Sequence, residues 1–217
     1  MSQSVSLYAP VIEAIIQRIR IAEDAIERVE ADTANSLALG WCEIAVLQVR
    51  MICELLLLGA TAAHLHEGEV AVSDTSWRPK VVFQELSKVN EHPLPIPVEI
   101  HFNEDGPTPH HVTPISKPMD FQNLSKIYGI CGDLLHVPSV RQVLTNRMPA
   151  FDLGQISGWI SGFRRLMMAH VLMLPERQVI LLFWWSGTTE DAPQGFRLDA
   201  EGPSTLNVDA LPEFNLF

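Results

Sequence analysis

Apolar residues recur along the chain with two spacings, and each spacing predicts a different kind of element. From Pro10 to Val29 every third or fourth residue is apolar, which predicts an amphipathic helix that begins at Pro10, a residue favoured in the first turn. A far more apolar helix is predicted from about Ala34 to His66, with Asp32 and Thr33 as caps. Three further helices are predicted at about Lys80–Val89, Phe121–His136 and Phe151–Leu174.

Strand patterns occur in the middle and at the end of the chain. Val98–Phe102 and Val112–Ile115 flank an Asn-Glu-Asp-Gly segment at 103–106, which predicts a hairpin. The continuous apolar run Val179–Trp185 predicts a buried strand, and Gly195–Leu198 and Leu206–Val208 predict two more. In Trp184-Trp185 the two indoles are expected on opposite sheet faces.

The order of these elements predicts an α+β protein, mainly a helical bundle with an inserted β-hairpin and a C-terminal strand region. The 217 residues, 47% of them hydrophobic, are enough for one domain with its own core. Within a single domain 1–217 we assign 1–92 and 119–175 to the bundle, 93–118 to the hairpin insertion and 176–217 to a β-rich extension.

Charge and cysteine content narrow the functional classes. A formal net charge of −11 argues against binding nucleic acid by bulk electrostatics. The three cysteines have no regular spacing, so we expect no disulfide framework and no disulfide-linked partner. Reduced thiols are typical of a cytoplasmic protein, which is the expected location. We also expect no signal peptide, because the predicted first helix is amphipathic. The apolar run Leu55–Ala63 is much shorter than the roughly 20 residues of a membrane span, so no membrane association is expected.

A line of polar side chains marks the long apolar helix. At 100° per residue, five polar side chains point within about 20° of one line along the helix. They are Ser36, Glu43, Arg50, Glu54 and Thr61. Charges on such a helix need partners, so this stripe is expected to face polar groups inside the protein or an active cleft. Arg50 and Glu54 either orient a substrate or a catalytic histidine, or form an internal ion network with a neighbouring helix.

A second group of candidate residues lies in the predicted helix at 121–136. Tyr128 and His136 share one helix face, and Asp133 is close enough in sequence to orient the His136 ring. A histidine near carboxylates is suited to proton transfer. The alternative is a favourable contact between a C-terminal histidine and the helix dipole.

These two helices carry a family resemblance. The Arg50–Glu54 pair and the terminal Ala63-His64, followed by the Tyr128–His136 segment, resemble uncharacterised bacterial proteins of the HEPN-like helical kind over residues 34–136. The resemblance implies a helical bundle, often dimeric, and many such domains are ribonucleases of toxin–antitoxin or antiphage systems. Their signature is an arginine and a histidine with four to six residues between them, the two converging on RNA at a dimer interface.

The formal match to that signature is Arg165 with His170, and Arg164 offers the longer spacing. In a continuous helix five residues place the two side chains about 140° apart. The family's usual polar residue after the arginine is Leu166 here. We therefore treat Arg165 and His170 as the alternative to a site of His136, Arg50, Glu54, Tyr128 and Asp133.

Two other patterns have structural interpretations. The glycines at 154, 158 and 162 predict close helix packing inside the protein or, as the alternative, a symmetric dimer seam. His101 is expected opposite His110 or His111 in the hairpin, but without a carboxylate or cysteine set we expect no metal. No phosphate-binding loop or dinucleotide fingerprint is present, so no cofactor is expected.

Two functions from different classes fit these observations. The first is a cytoplasmic, RNA-directed protein in which His136 or His170 transfers a proton and Arg50 or Arg165 contacts phosphate. The second is a non-catalytic, homodimeric interaction or scaffold protein whose ion network fixes the fold. The clustered polar side chains favour the first, and the acidic net charge favours the second.

Overall fold

The computed structural model describes residues 3–31, 37–66, 79–102, 109–117, 119–136, 144, 150–174, 179–187 and 192–199. The helices are α1 (Gln3–Ala31), α2 (Ala38–His66), α3 (Pro79–Val89), α4 (Phe121–Leu135) and α5 (Leu153–Met168). The strands are β1 (Ile96–Phe102), β2 (Pro109–Pro114), β3 (Ala169–Leu174), β4 (Val179–Trp184) and β5 (Gln194–Asp199). This is the predicted α+β class, mainly helical. The expected Asp32 and Thr33 caps, the 103–106 turn and the 206–208 strand lie outside the described residues.

Helix α2 forms the centre of the bundle because it is apolar on nearly all sides. It packs along α1 through most of its length and also contacts α3, α4 and α5. Where α2 packs on α1, a Cβ on Gly59 would lie 2.7 Å from the Tyr8 ring, so only glycine fits without displacing that buried side chain.

The start of the first helix differs from the prediction. Helix α1 begins at Gln3, and Pro10 lies inside it. Val5 and Tyr8 are both buried in the main core, and their packing extends the helix beyond the point where the proline alone predicts a start.

The five strands form one antiparallel sheet in the order β2-β1-β3-β4-β5. The predicted hairpin is confirmed as β1 and β2. It is continuous with the C-terminal strands, because Ile96 pairs with Val171 and Pro97 pairs with His170. The hairpin is therefore part of the same sheet as the C-terminal strands.

The last predicted helix is shorter than expected. Asp152 caps α5, its carboxylate accepting from the Gln155 amide at 3.0 Å, but the helix ends at Met168. Residues 169–174 form β3, which pairs along its whole length with β4. A short apolar run fits either a buried helix or a buried strand, and pairing with β4 determines the outcome here.

The sheet has two apolar faces. One packs on the helices through Leu172, Leu181 and Phe183, which belong to the main core. The other, here the outer face, carries a separate cluster of Ile96, Val98, Val171 and Leu182. The expectation for the tryptophans is confirmed: Trp185 joins the helical core and Trp184 lies on the outer face.

By length and composition alone, α2 is long and apolar enough to cross a membrane. Of its most apolar window, 61% is buried inside the protein, as expected of a core helix that its neighbours surround. The helix is therefore weak evidence for a membrane span.

Candidate functional site

Helices α2 and α4 bring together three of the predicted site residues. The Arg50 Nη2 donates to the Tyr128 hydroxyl at 2.8 Å, and the guanidinium carbon lies 4.6 Å from the centre of the Tyr128 ring. The Glu54 Oε1 lies 3.6 Å from the Arg50 Nε, one helical turn along α2. The expected contact between the stripe and the tyrosine helix is thus present. We call Arg50, Glu54 and Tyr128 the Arg50 cluster.

The Arg50 cluster lies at the surface end of the helix interface. The side chains of Arg50 and Glu54 are 28% and 37% exposed, so water screens their ion pair, which contributes at most about 1 kcal/mol. Burial lowers the pKa of Arg50, but the Tyr128 hydroxyl and the Glu54 carboxylate outweigh it and leave this pKa above its ordinary value. Arg50 is therefore a permanent cation with two partners already in place.

Below the cluster the two helices bury cysteines. Burial raises the pKa of Cys131 to about 12 although Arg50 acts in the opposite direction. Burial and the neighbouring Cys131 raise the pKa of Cys53 well above its ordinary value. Both side chains are neutral thiols at pH 7, and neutral thiols are poor nucleophiles.

His136 and Asp133 do not join the Arg50 cluster. The His136 backbone N–H donates to the Gly132 carbonyl at 3.1 Å and ends α4, while both side chains are exposed. His136 follows Tyr128 by eight residues, which is about 12 Å along a helix. In the part of the chain that the structure describes, no hydrogen bond or ion pair links either side chain to the cluster.

The rest of the polar stripe behaves differently from the prediction. Glu43 is exposed on α2, and the buried Thr61 hydroxyl donates to the Leu57 carbonyl of its own helix at 2.7 Å. Ser36 lies outside the described residues. The expectation that the whole stripe faces polar groups inside the protein or an active cleft is wrong for two of its members. Glu43 is exposed, and the backbone of α2 itself satisfies the Thr61 hydroxyl.

The structure separates Arg165 from His170. Arg165 is exposed in the last turn of α5, whereas His170 is fully buried in β3, where its ring stacks 5.8 Å from Phe183. The His170 Nε2 lies 3.4 Å from the Tyr8 hydroxyl, and its Nδ1 lies 3.2 Å from the Leu166 carbonyl. The assumption of a continuous helix was wrong here, because the helix ends before His170.

Arg164, the other possible arginine of that signature, has a structural role. Its Nη1 donates to both Glu23 carboxylate oxygens, at 3.1 and 3.0 Å, and its Nη2 donates to the Gly187 carbonyl at 2.9 Å. The guanidinium also stacks on the Trp185 ring. These contacts tie α5 to α1 and to the end of β4.

Sequence reasoning missed the buried pair of His64 and Asn90. The Asn90 Nδ2 donates to the Met173 carbonyl at 2.8 Å and lies 3.1 Å from the His64 Nε2, joining α2, the end of α3 and β3. In the sequence Asn90 only follows the predicted helix at 80–89. The available signal was a histidine at the end of an apolar helix, which needs an internal partner.

Two concave regions flank these residues. A concave region of about 240 Å³, part of it open to solvent, lies beside the Arg50 cluster and is lined mainly by apolar side chains of α2 and α4. A groove of about 510 Å³ between α1 and α5 is lined by Glu23, Glu27, Ser157 and Ser161 above an apolar floor. Its carboxylates disfavour a phosphate-bearing ligand.

The residues that the structure describes give no evidence of a metal site. Within them no group of three or more histidine, cysteine, aspartate or glutamate side chains is arranged to hold a metal ion. The rings of His101 and His111 stack 6.0 Å apart on paired strands, and both residues are exposed.

Comparisons with protein-family models, with curated proteins and with solved structures found no match to this chain. The HEPN-like resemblance therefore stays a prediction that these comparisons do not test. The geometry of the described residues is the basis for the functional proposal.

The buried His170 makes the stability of the protein sensitive to pH. Burial lowers the pKa of His170 from 6.5 to about 4, although its contact with the Leu166 carbonyl acts against this. As pH falls below 6.5 the unfolded chain binds the proton first. We expect the free energy of unfolding to lose about 3 kcal/mol from this residue between pH 7 and pH 4. Denaturant titrations across this range measure the loss.

Two variants isolate the contribution of His170. His170→Gln removes this titrating group and is expected to reduce the pH dependence, while the buried His64, whose pKa burial also lowers, keeps its own contribution. His136→Ala removes an exposed histidine as the matched control. The same slope in His170→Gln and in the wild type would contradict the assignment.

Proposed function

We propose that this protein is a cytoplasmic, non-catalytic interaction protein that works as a homodimer. The observation that carries the proposal is that Arg50 contacts Tyr128 and Glu54. The two candidate histidines, His136 and His170, lie outside this cluster. In this proposal the Arg50 cluster joins α4 to α2 and takes no part in chemistry.

The described site lacks the features of a reactive centre. General acid–base catalysis needs a titratable group within hydrogen-bond reach of the reacting atoms and a pKa near the working pH. His170 is fully buried, with a pKa of about 4, and the thiols of Cys53 and Cys131 are neutral. These properties support a structural role for each of the three side chains.

A surface suited to protein association lies at one end of the outer face. Trp184 stacks on Phe196 with ring centres 4.9 Å apart and meets Phe102 edge-on at 5.7 Å. Phe102 and Phe196 are 46% and 41% exposed, and we call these three residues the aromatic ladder. Exposed aromatic groups are enriched in protein interfaces, and an uncharged surface lets two acidic chains meet without local repulsion.

Light scattering tests this proposal through the mass in solution. We expect about twice the chain mass of 24.2 kDa. The double variant Phe102→Ser with Phe196→Ser is expected to shift the protein to the monomer. The matched control Leu39→Ser, which changes an exposed apolar residue of α2, is expected to keep the dimer. A monomeric wild type would contradict the homodimer.

A second candidate function is suggested by the half-exposed position of Arg50. A cationic guanidinium lies next to Tyr128, and the exposed His136 is two turns further along α4. In an RNA-directed protein of the HEPN-like kind, Arg50 would contact phosphate and His136 would transfer a proton. The toxin or defence role that the resemblance implies belongs to this second proposal.

Cleavage of RNA distinguishes the two functions. Wild type, Arg50→Ala and His136→Ala are incubated with single-stranded and structured RNA, and each is expressed in cells to measure growth. The non-catalytic proposal predicts no cleavage and equal growth for all three. Cleavage and toxicity that appear in the wild type and disappear in both variants would establish the RNA-directed function instead.

A further inference from the structure

One side of α2 stays open to water, between α1 and α4. Leu47, Leu58 and Leu65 are 43%, 43% and 41% exposed. At 100° per residue these three side chains point within about 20° of one line along the helix. Gln48 contacts α1 and Arg50 contacts α4, so the line of leucines runs between those two helices.

Helix α1 extends the same apolar surface. Its Leu7 and Ile21 are 45% and 42% exposed, and the half-buried Ala14 lies midway between them. Arg18 of α1 donates to Gln48 of α2 at 3.0 Å, and the two helices run antiparallel. In this packing the three α1 residues lie on the same side of the helix pair as the α2 leucines. We call this surface the α1–α2 face; its members are Leu7, Ala14, Ile21, Leu47, Leu58 and Leu65.

The α1–α2 face is a continuous surface and not a set of isolated positions. Apolar residues that are exposed singly are common on proteins and carry no functional meaning. Here five large apolar side chains, each more than 40% exposed, lie on one side of two adjacent helices. Adjoining apolar side chains of this kind mark surfaces that bind another molecule.

The spacing of the apolar residues indicates a helical occupant. In α1 they recur every seven residues, and in α2 the same spacing holds for Ile44, Met51, Leu58 and Leu65. A seven-residue recurrence keeps an apolar seam in contact with a second helix that winds along it. From Leu47 to Leu65 the seam is about 27 Å long, which is the length of a helix of about 18 residues.

Charges beside the α1–α2 face favour a basic occupant. Glu43 and Glu54 lie about 16 Å apart along α2, on one line at the margin of the leucines. Glu43 is exposed and forms no ion pair with another residue that the structure describes, and Glu54 is 37% exposed. The arginines on α1 and α2 near this face already donate to groups of the same chain; they are Arg18, Arg28 and Arg50.

We propose that the α1–α2 face binds an amphipathic helix of a partner protein, with an apolar seam and lysine or arginine side chains beside it. The seam packs on the leucines, and the basic side chains reach Glu43 and Glu54. A second copy of this chain fits less well, because it brings a further formal net charge of −11 to a margin that already carries carboxylates. The inference rests on the proposed role as an interaction protein, for which it names the class of partner.

A designed peptide tests the fit of such a helix. The probe is a fluorescein-labelled peptide of about three heptads, with leucine at the first and fourth positions of each heptad and lysine at the fifth and seventh. Fluorescence anisotropy with the full chain is expected to show saturable binding. A peptide of the same composition, with its leucines out of heptad spacing, is expected to bind about tenfold more weakly. Equal binding of the two peptides, or binding of neither, would overturn the proposal.

Variants of exposed leucines locate the surface that binds the probe. Leu47→Ser with Leu58→Ser is expected to weaken binding about tenfold, because the seam loses its apolar contact. The matched control is Leu39→Ser, an exposed leucine of the same helix that points about 80° away from the seam. It is expected to change the affinity less than about twofold, and thermal melts verify that each variant is folded. Equal weakening in both variants would place the peptide elsewhere and overturn the proposal.

Charge reversal tests the basic character of the partner. Glu43→Lys is expected to weaken binding of the lysine probe about threefold and to strengthen binding of a probe with glutamate in place of lysine. Glu27→Lys makes the same change in net charge on α1, beside the groove with α5, and is expected to have less than half of this effect. Equal effects of the two reversals would show attraction by net charge alone and would contradict the assignment.

Failure of this proposal is distinguishable from failure of the homodimer. Phe102→Ser with Phe196→Ser is expected to bind the probe as the wild type does, whatever its mass. If light scattering shows that Leu47→Ser with Leu58→Ser converts a dimer to a monomer, the face binds a second copy and the proposal is overturned. Sedimentation of the wild type with phosphatidylcholine vesicles, lost in the same leucine variant, would assign the face to lipid and overturn it as well.

Discussion

The structure depends on the burial of α2, a helix with apolar side chains on nearly every side. Such a helix is stable in water only when other elements surround it, and α1, α3, α4 and α5 do so. This constraint also determines where its charges lie. Arg50 and Glu54 occupy the margin of the contact with α4, where Tyr128 accepts a hydrogen bond from the guanidinium and water reaches both charged groups. The Arg50 cluster is thus the polar edge of an apolar interface.

The sheet joins parts of the chain that are far apart in sequence. Pairing of Ile96 with Val171 and of Pro97 with His170 connects the hairpin to the C-terminal strands. Because His170 belongs to this connection and contacts Tyr8 of α1, it is a core residue that links the sheet to the bundle. The same strands carry a second apolar cluster on the side away from the helices.

Local pattern was sufficient to predict the fold class, the hairpin and the existence of the five helices, because these depend on the periodicity of apolar residues. It was insufficient at residues 169–174, where pairing with β4 decides between helix and strand. It also failed for the start of α1, which the packing of Val5 and Tyr8 extends past Pro10. Within the candidate site, helical spacing predicted that Arg50 and Glu54 would be neighbours. It did not reveal that His136 lies apart, because the relative position of two helices depends on tertiary packing.

Arg50 links α2 to α4 through its contacts with Tyr128 and Glu54, and we propose that these contacts stabilise the packing of the two helices. A double-mutant cycle of Arg50→Leu and Tyr128→Phe, followed by denaturant unfolding, measures their interaction directly. The account predicts a coupling free energy of about 1 kcal/mol, the value expected for a partly exposed hydrogen bond to a charged group. If the unfolding free-energy changes of the two single variants sum to that of the double variant within about 0.3 kcal/mol, the two side chains do not stabilise each other. That result would contradict the account.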